Sequence, residues 1–478
     1  MRDEIVILNY SDEFSVEIAR RLRAEQVYAR IVPADTDAAR LRAMAPRGII
    51  LSGAAAGAEQ TLDPEIAALG VPVLALGHTA HLLLAALGGA SADVAVSGRK
   101  ALIQYGDSPL FDGVADGERY LAQARTMMLP PEVQMTASAG GCTIAFEDAQ
   151  KRQYGVQFEL ERNDPEGSAI VKNFVRDICG CSAWWSLDAA RAQAEDILDA
   201  AAARGGFALC AVSGGVDSTV AAVLTHRAFG ERMTAVLVDT GLMRDGEVAQ
   251  VQEAFEALGV PFRCVDRADE VLGHLEGKRG AEEKRAVVTA VLREEMLRLG
   301  AAHGGGTTLV LGTNYSDFLY CGDGARSWDG LEVAEPLLEL FKDEVRAIAV
   351  QLGIDEHIAA RKPFPALGLG ARIVGEINGE RLHALRMAER AFSDEIREAG
   401  LERKLYKYFP ILVADGSALG GEVMVLRAVT LSGGQLMPAR LPYDLVERTV
   451  ARIQAMSPAI TRVFYDQTPT PVGQETFI

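Results

Sequence analysis

Residues 207–230 read FALCAVSGGVDSTVAAVLTHRAFG: an apolar run, a turn built from Ser213, Gly214 and Gly215, and then a stretch of helix formers. A strand that turns through glycines into a helix N-terminus aims successive backbone N–H groups at one point, which makes an anion cradle. Gly214 and Gly215 let the backbone approach a phosphate closely, and the hydroxyls of Ser213 and Ser218 can donate to its oxygens. Asp217 beside Val216 would repel an anion by itself and makes sense if it holds a cation, for which Mg²⁺ is the natural candidate. The rhythm continues outward through MTAVLVDTGLMRDGE (233–247), VPFRCVDRADE (260–270), the helical EEKRAVVTAVLREEMLRLGAA (282–302) and TTLVLGTNYSD (307–317). Strand and helix alternate, as in a doubly wound α/β sheet that binds its ligand at the C-terminal strand ends.

Upstream, EIVILNY (4–10), VYARIVPA (27–34), RGIILSG (47–53) and VPVLALG (71–77), with amphipathic stretches between them, predict a second doubly wound α/β domain. Further strands are expected around 119–129, 141–148 and 153–161, and a helix over 186–205 leads into the central block. Downstream, in GARIVGEINGERLHALRMAERAFSDEIREAG (370–400), EVMVLRAVTL (422–431) and LPYDLVERTVARIQAMS (441–457), strands and helices segregate into a small α+β unit. The expected domains are 1–181, 182–361 and 362–478.

The 48 Lys and Arg against 66 Asp and Glu give a net charge of −18, a poor surface for nucleic acid. Apolar stretches are too short for a membrane span, and the acidic start MRDEIVILNY does not resemble a secretory signal, so a cytoplasmic protein is expected. Six scattered Cys suit a reducing compartment rather than a disulfide framework, and no spacing suggests a zinc site.

SGGVDS in this setting resembles the PP-loop of the ATP pyrophosphatases, which cleave ATP between the α and β phosphates; the Walker pattern of γ-phosphoryl transfer is absent. The resemblance then becomes specific. ICGC (178–181), SGGVDST (213–219), VDTGLMRDGE (238–247), EEKR (282–285), EPLLELFKDEVR (335–346), FPALGLGARIVGE (364–376), VLRAV (425–429), LPYDLVERTVARI (441–453) and RVFYD (462–466) fall in the order found in the GMP synthetase family. That resemblance implies ATP and Mg²⁺ as cofactors, with Ser213, Gly214, Gly215, Val216, Asp217, Ser218 and Thr219 around the pyrophosphate and Lys342 reaching the phosphates. It implies an adenosine pocket lined by Val238 and Asp239 and by Gly312, Thr313 and Asp317 on the facing loop. It further implies a C-terminal dimerisation module, hence a homodimer, and an acceptor loop carrying Phe364, Pro365, Gly368 and Leu369.

Two departures matter. The first block resembles a class I glutamine amidotransferase domain, but Gly77 stands where the Cys nucleophile belongs, and Glu159-Leu160-Glu161 replaces the His-Pro-Glu that supplies the base. Glutaminase activity should be absent, leaving free ammonia as nitrogen source, with His78 and His81 as surface or packing residues. Secondly, the family's Arg-bearing phosphate loop corresponds here to residues 411–417, without Arg, and the tail 470–478 lacks the family's Lys. Three readings therefore stand. The first is amination of a carbonyl acceptor, XMP or a related compound, through an adenylate. The second is the same activation on a non-XMP acceptor with an amine or sulfur donor, in which Cys321 could take part. The third is a nucleotide-binding partner or sensor without catalysis. Arg427 and Arg440 are possible substitutes for the missing phosphate cations.

Overall fold

The computed structural model describes residues 3–53, 61–93, 100–121, 125–158, 160, 165–317, 328, 330–355, 358, 367–414, 421–432 and 435–471. It divides into two compact units, Met1–Ala190 and Arg191–Ile478.

In the first unit, β1 (Glu4–Asn9), α1 (Asp12–Ala24), β2 (Tyr28–Pro33), α2 (Ala38–Met44), β3 (Gly48–Leu51), α3 (Pro64–Ala67), β4 (Val73–Leu76) and α4 (His78–Ala86) alternate strictly. β5 (Ala90–Asp93), β6 (Lys100–Tyr105), β7 (Gly117–Tyr120), β8 (Arg125–Met128), β9 (Gln134–Ala139), β10 (Cys142–Asp148) and β11 (Gln153–Val156) follow, then α5 (Pro165–Lys172). The sheet order is β2-β1-β3-β4-β11-β10-β9-β6-β7. β2, β1, β3, β4 and β11 are parallel, whereas β10, β9, β6 and β7 add an antiparallel wing. β3 and β4 are buried at every position, as central strands covered on both faces must be, which is why their sequences are continuous Val, Ile and Leu rather than alternating. α6 (Leu187–Ala203) spans the division between the units.

The second unit opens with β12 (Ala208–Ala211), α7 (Val216–Phe229), β13 (Met233–Asp239), α8 (Glu247–Ala257), β14 (Phe262–Asp266), α9 (Ala268–Leu275), α10 (Ala281–Ala302), β15 (Thr308–Val310), β16 (Glu332–Ala334) and α11 (Lys342–Gln351). Its sheet runs β14-β13-β12-β15-β16, parallel throughout. The order reverses direction at β12, so the β12–α7 turn lies at the topological switch point where such sheets take ligands. The chain closes with β17 (Ile373–Val374), α12 (Gly379–Glu398), β18 (Lys407–Ala414), β19 (Glu422–Ser432), β20 (Gln435–Pro438), α13 (Tyr443–Met456), β21 (Ile460–Tyr465) and β22 (Thr470–Pro471). One core continues from Leu242, Val271 and Val288 into Leu369, Leu385, Phe392, Leu412 and Leu426, joining the parallel-sheet layer to this last α+β segment. Among the described residues no helix is long and apolar enough to cross a membrane.

Charge is buried inside this joint. Glu389 of α12 accepts from Arg372 Nη1 at 2.8 Å and from Arg244 Nε at 2.8 Å, and the Arg372 and Glu389 side chains are each only 6% exposed. Burying a guanidinium is tolerable only while its carboxylate stays in place. Replacing Glu389 by Ala should therefore lower unfolding stability by about 3–5 kcal/mol, the usual cost of an orphaned buried charge, read by chemical denaturation; a loss below about 1 kcal/mol, as for a surface pair, would contradict the role given to it.

Candidate functional site

The loop between β12 and α7 is shaped by its own side chains. Gly214 takes φ +75, a left-handed conformation in which a side chain would be strained, and Gly215 caps α7 in extended backbone without a side chain of its own. Ser218 Oγ accepts from the Ser213 N–H at 3.2 Å and donates to Gly215 O at 3.1 Å, while Thr219 Oγ1 donates to the same carbonyl at 2.9 Å. These bonds fold the loop back on the first turn of α7, where uncapped N–H groups carry the positive helix end.

Asp217, in that first turn, forms an ion pair with Lys342 Nζ at the first position of α11. α11 itself starts there because Glu344 turns back to accept from the Phe341 N–H at 2.8 Å. Asp217 Oδ1, by contrast, is buried and has no hydrogen-bond partner among the described residues. Asp317 lies close enough for the two carboxylates to repel. Burial first, and then Asp217, raise the Asp317 pKa, while its Oδ2 accepts from the Asn314 N–H at 3.2 Å. An orphaned carboxylate oxygen with a second carboxyl nearby fits a hard divalent cation completed by phosphate oxygens. Gly312 closes the other side: a Cβ there would stand 2.7 Å from Ser218 N and 2.9 Å from Asp217 C.

Asp239 ends β13 and turns its Oδ1 to accept from the Gly241 N–H at 2.8 Å, so that its carboxylate organises the following loop. Arg386 of α12 holds the same loop by donating to Gly241 O at 2.6 Å and Met243 O at 3.0 Å. Gly368, at φ +59, packs so tightly that a Cβ would meet Leu242 O at 2.5 Å, and Leu369 is fully buried in the shared core. Phe364, Pro365, Cys321, Glu159 and Glu161 lie outside the described residues. Arg427 is buried and committed, pairing with Asp466 and donating to Thr470 Oγ1 at 2.7 Å, whereas Arg440 is exposed.

In the first unit, Gly77 forms a tight strand-to-helix turn between β4 and α4. Gly77 sits at φ 56, ψ −121, and a Cβ would find only Gly53 Cα, at 3.6 Å. Thr79 pins the turn: its Oγ1 accepts from the Leu76 N–H at 3.0 Å and lies 2.9 Å from Leu51 O and 2.8 Å from Leu76 O, which share its single hydroxyl proton. His81 bonds Ser91 Oγ through Nδ1 at 2.7 Å. Burial, then Arg125 and His78, push its pKa down to about 4, so the ring is neutral at pH 7.

Several residues of the second unit escape a reading by motif: Lys284, Arg372, Arg386, Glu389 and Lys407. Lys284 is fully buried and donates to Ile373 O at 2.7 Å, and burial followed by the charge of Arg381 lowers its pKa to about 8. It lies within EEKR and its acceptor Ile373 within GARIVGE, but no spacing within either stretch shows that the chain brings these two residues together across 89 positions of sequence.

Comparison with known proteins gives each unit its class. Residues 6–178 match the class I glutamine amidotransferase family and residues 194–375 the NAD synthase family, so the chain joins an amidotransferase-type domain to a PP-loop domain. GMP synthase [glutamine-hydrolyzing] of Caldanaerobacter subterraneus subsp. tengcongensis is 35% identical, with 98% of each chain covered. The proteins of that name from Geobacillus kaustophilus and Symbiobacterium thermophilum are 35% and 36% identical, covering 98% and 99% of this chain. The chain belongs to the GMP synthase family and is a ligase.

The closeness of Gly312 to the loop yields a test. Gly312→Ala must displace backbone at Ser218 and Asp217, and a shift of about 1 Å at a positioned group costs on the order of 100-fold in rate. Acceptor-dependent AMP release should fall by about that factor, and retention of near-wild-type turnover would show that the loop does not depend on this contact.

Proposed function

We propose that the chain activates a carbonyl oxygen with ATP and replaces it with ammonia. The acceptor oxygen attacks the α-phosphorus, the bond to the bridging oxygen breaks and pyrophosphate leaves. Ammonia then attacks the activated carbon, AMP departs and the amine loses a proton. The observation that carries this reading is the Asp217–Lys342 pair at the meeting of two helix starts beside the Ser213–Thr219 loop. In it, the loop amides and hydroxyls hold the pyrophosphate, and Lys342 neutralises it as a point charge. Val238, Asp239, Gly312, Thr313 and Asp317 border the adenosine. Asp217 and Asp317 would hold Mg²⁺, which, when bound, spreads the charge of the leaving pyrophosphate.

Residues 182–361 thus perform activation, and residues 362–478 bind the acceptor and pair with a second copy. Residues 1–181 serve as a docking or regulatory domain, because neither Gly77 nor Glu159 offers a thiol or imidazole. The relatives' name includes glutamine hydrolysis; this chain would rely on ammonia instead. The acceptor is XMP or a related compound. The locked Arg427 and the Arg-free stretch 411–417 favour a related acceptor over XMP itself.

Asp217→Asn and Lys342→Met should each lower AMP release by about 100- to 1,000-fold, the range for removing one preorganised charge, with circular dichroism unchanged; turnover near wild type in either would refute the assignment. Saturating ammonium with XMP, then with a panel of carbonyl compounds, decides the acceptor: family-like efficiency with XMP would dismiss the altered-acceptor reading. Purified protein should release no glutamate from glutamine. Gly77→Cys should not restore that activity, since a thiol without its base stays mostly protonated; measurable glutaminase turnover by the unaltered chain would overturn the ammonia reading.

A further inference from the structure

Three successive carbonyls of the loop that follows β13 are taken by the C-terminal segment. Arg386 of α12 donates through Nη2 to Gly241 O at 2.6 Å and through Nε to Met243 O at 3.0 Å. Between them, the Leu369 N–H donates to Leu242 O at 2.8 Å. The same loop reaches back to the end of β13, where the Gly241 N–H donates to Asp239 Oδ1 at 2.8 Å. Gly241 is thus gripped by Arg386 through its carbonyl and grips Asp239 through its amide. It takes φ +71 pressed against the start of α9, where a Cβ would stand 2.9 Å from the Ala268 Cβ.

Strand geometry places this linkage beside the anion cradle. Ala211 of β12 pairs with Val236 of β13, and the Val212 N–H still donates to Val236 O at 2.9 Å. Neighbouring strands lie about 4.8 Å apart, so β13 runs on alongside the start of the Ser213–Thr219 loop and ends at Asp239. A carboxylate with one oxygen fixed by a backbone N–H has its plane restrained, and its second oxygen takes a set direction. An acceptor set in advance binds the N–H and O–H donors of a nucleoside at a smaller cost in lost freedom than a mobile one. Glycine brings no rigidity of its own to position 241. The bonds from Arg386 supply it.

We propose that Arg386 is a positioning residue for ATP binding: by holding the Gly241 and Met243 carbonyls it fixes the Gly241 N–H that orients the Asp239 carboxylate. The nucleotide pocket of the parallel sheet therefore depends on α12, which belongs to the segment that takes the acceptor. The proposal rests on the reading of this site as an ATP-activating centre, and it adds a residue that acts through Asp239. The guanidinium fork is essential to the role, because a rigid plane bridges two carbonyls whereas an ammonium on a flexible stem holds one point. The Arg386 side chain is 25% exposed and its approach to Asp245 is a loose 3.7 Å, so truncating it admits water and leaves no core cavity.

The test is a double-mutant cycle on the full chain, with Arg386→Met, Asp239→Ala and the two combined, read by calorimetric titration with MgATP. Arg386→Met should weaken MgATP by about tenfold, the factor for one ligand hydrogen bond lost. In the Asp239→Ala background the same change should alter affinity by less than about twofold, because its route to the nucleotide is gone. Arg386→Lys, which holds one carbonyl at a time, should fall between wild type and Arg386→Met. Urea unfolding of each variant gives its folded fraction, and Arg386→Gln replaces the Met variant if the latter does not fold. A merely structural residue would lower that fraction and leave the MgATP affinity of the folded chain unchanged. Affinity of Arg386→Met within about twofold of wild type, or an equal loss in the Asp239→Ala background, overturns the proposal. A wild-type chain that binds no MgATP removes the ATP reading and the proposal with it. A wild type that binds MgATP yet releases no AMP with any acceptor refutes the amination reading alone, and the cycle still decides the role of Arg386.

Discussion

A carboxylate shared by two guanidiniums holds the second unit in working order. Glu389 sits 5% exposed in the middle of α12 and meets Arg372 on one oxygen and Arg244 on the other. Arg372 closes the turn that packs on Leu242, and Arg244 belongs to the loop that leaves β13. The same helix sends Arg386 to two carbonyls of that loop. The loop bordering the nucleotide end of the parallel sheet thus takes its shape from a helix more than a hundred residues further along the chain. A local turn could not keep that shape alone, because Gly241, at φ +71, is free in backbone terms and is restrained by contact with Ala268 on one side and Arg386 on the other.

In the first unit, one glycine sets the path of the turn between β4 and α4. The strand-to-helix turn at Gly77 still adopts φ 56, ψ −121, a conformation that costs a side chain on the order of 1–3 kcal/mol. A catalytic side chain justifies such strain by the geometry it gains. Glycine occupies the conformation without that cost, so the exchange relaxes the turn while Thr79 keeps its path. His81, neutral and tied to Ser91, packs as a half-buried polar group on the same helix.

How much of this could be read in advance follows from the range of each interaction. The parallel sheets were legible because central strands must be apolar on both faces, as in Ile49–Leu51, Val73–Leu76 and Ala208–Cys210. The β12–α7 loop was legible because its hydrogen bonds join residues no more than five positions apart. Of the antiparallel wing, strands are legible in the sequence only around 119–129 and 141–148; β6 and β9 are not, and their pairing is decided by tertiary packing. The buried cations were not legible: Lys284 and Arg372 resemble solvated residues of amphipathic stretches until the distant carbonyl or carboxylate that meets each is known.

The same difference in range separates the parts of the site by how freely they can change. The loop from Ser213 to Thr219 is local and held by bonds within five positions, so substitutions elsewhere disturb it little. The C-terminal segment, by contrast, is held together by side chains of α12, β18 and the turn at Gly368, each meeting a partner far away in sequence. Arg427 illustrates the consequence: its guanidinium serves the packing of β19 against Asp466 and Thr470, and releasing it toward a ligand would leave a buried carboxylate behind. A cation committed to the core in this way is therefore harder to redirect toward a ligand than one whose carboxylate partner stays in water.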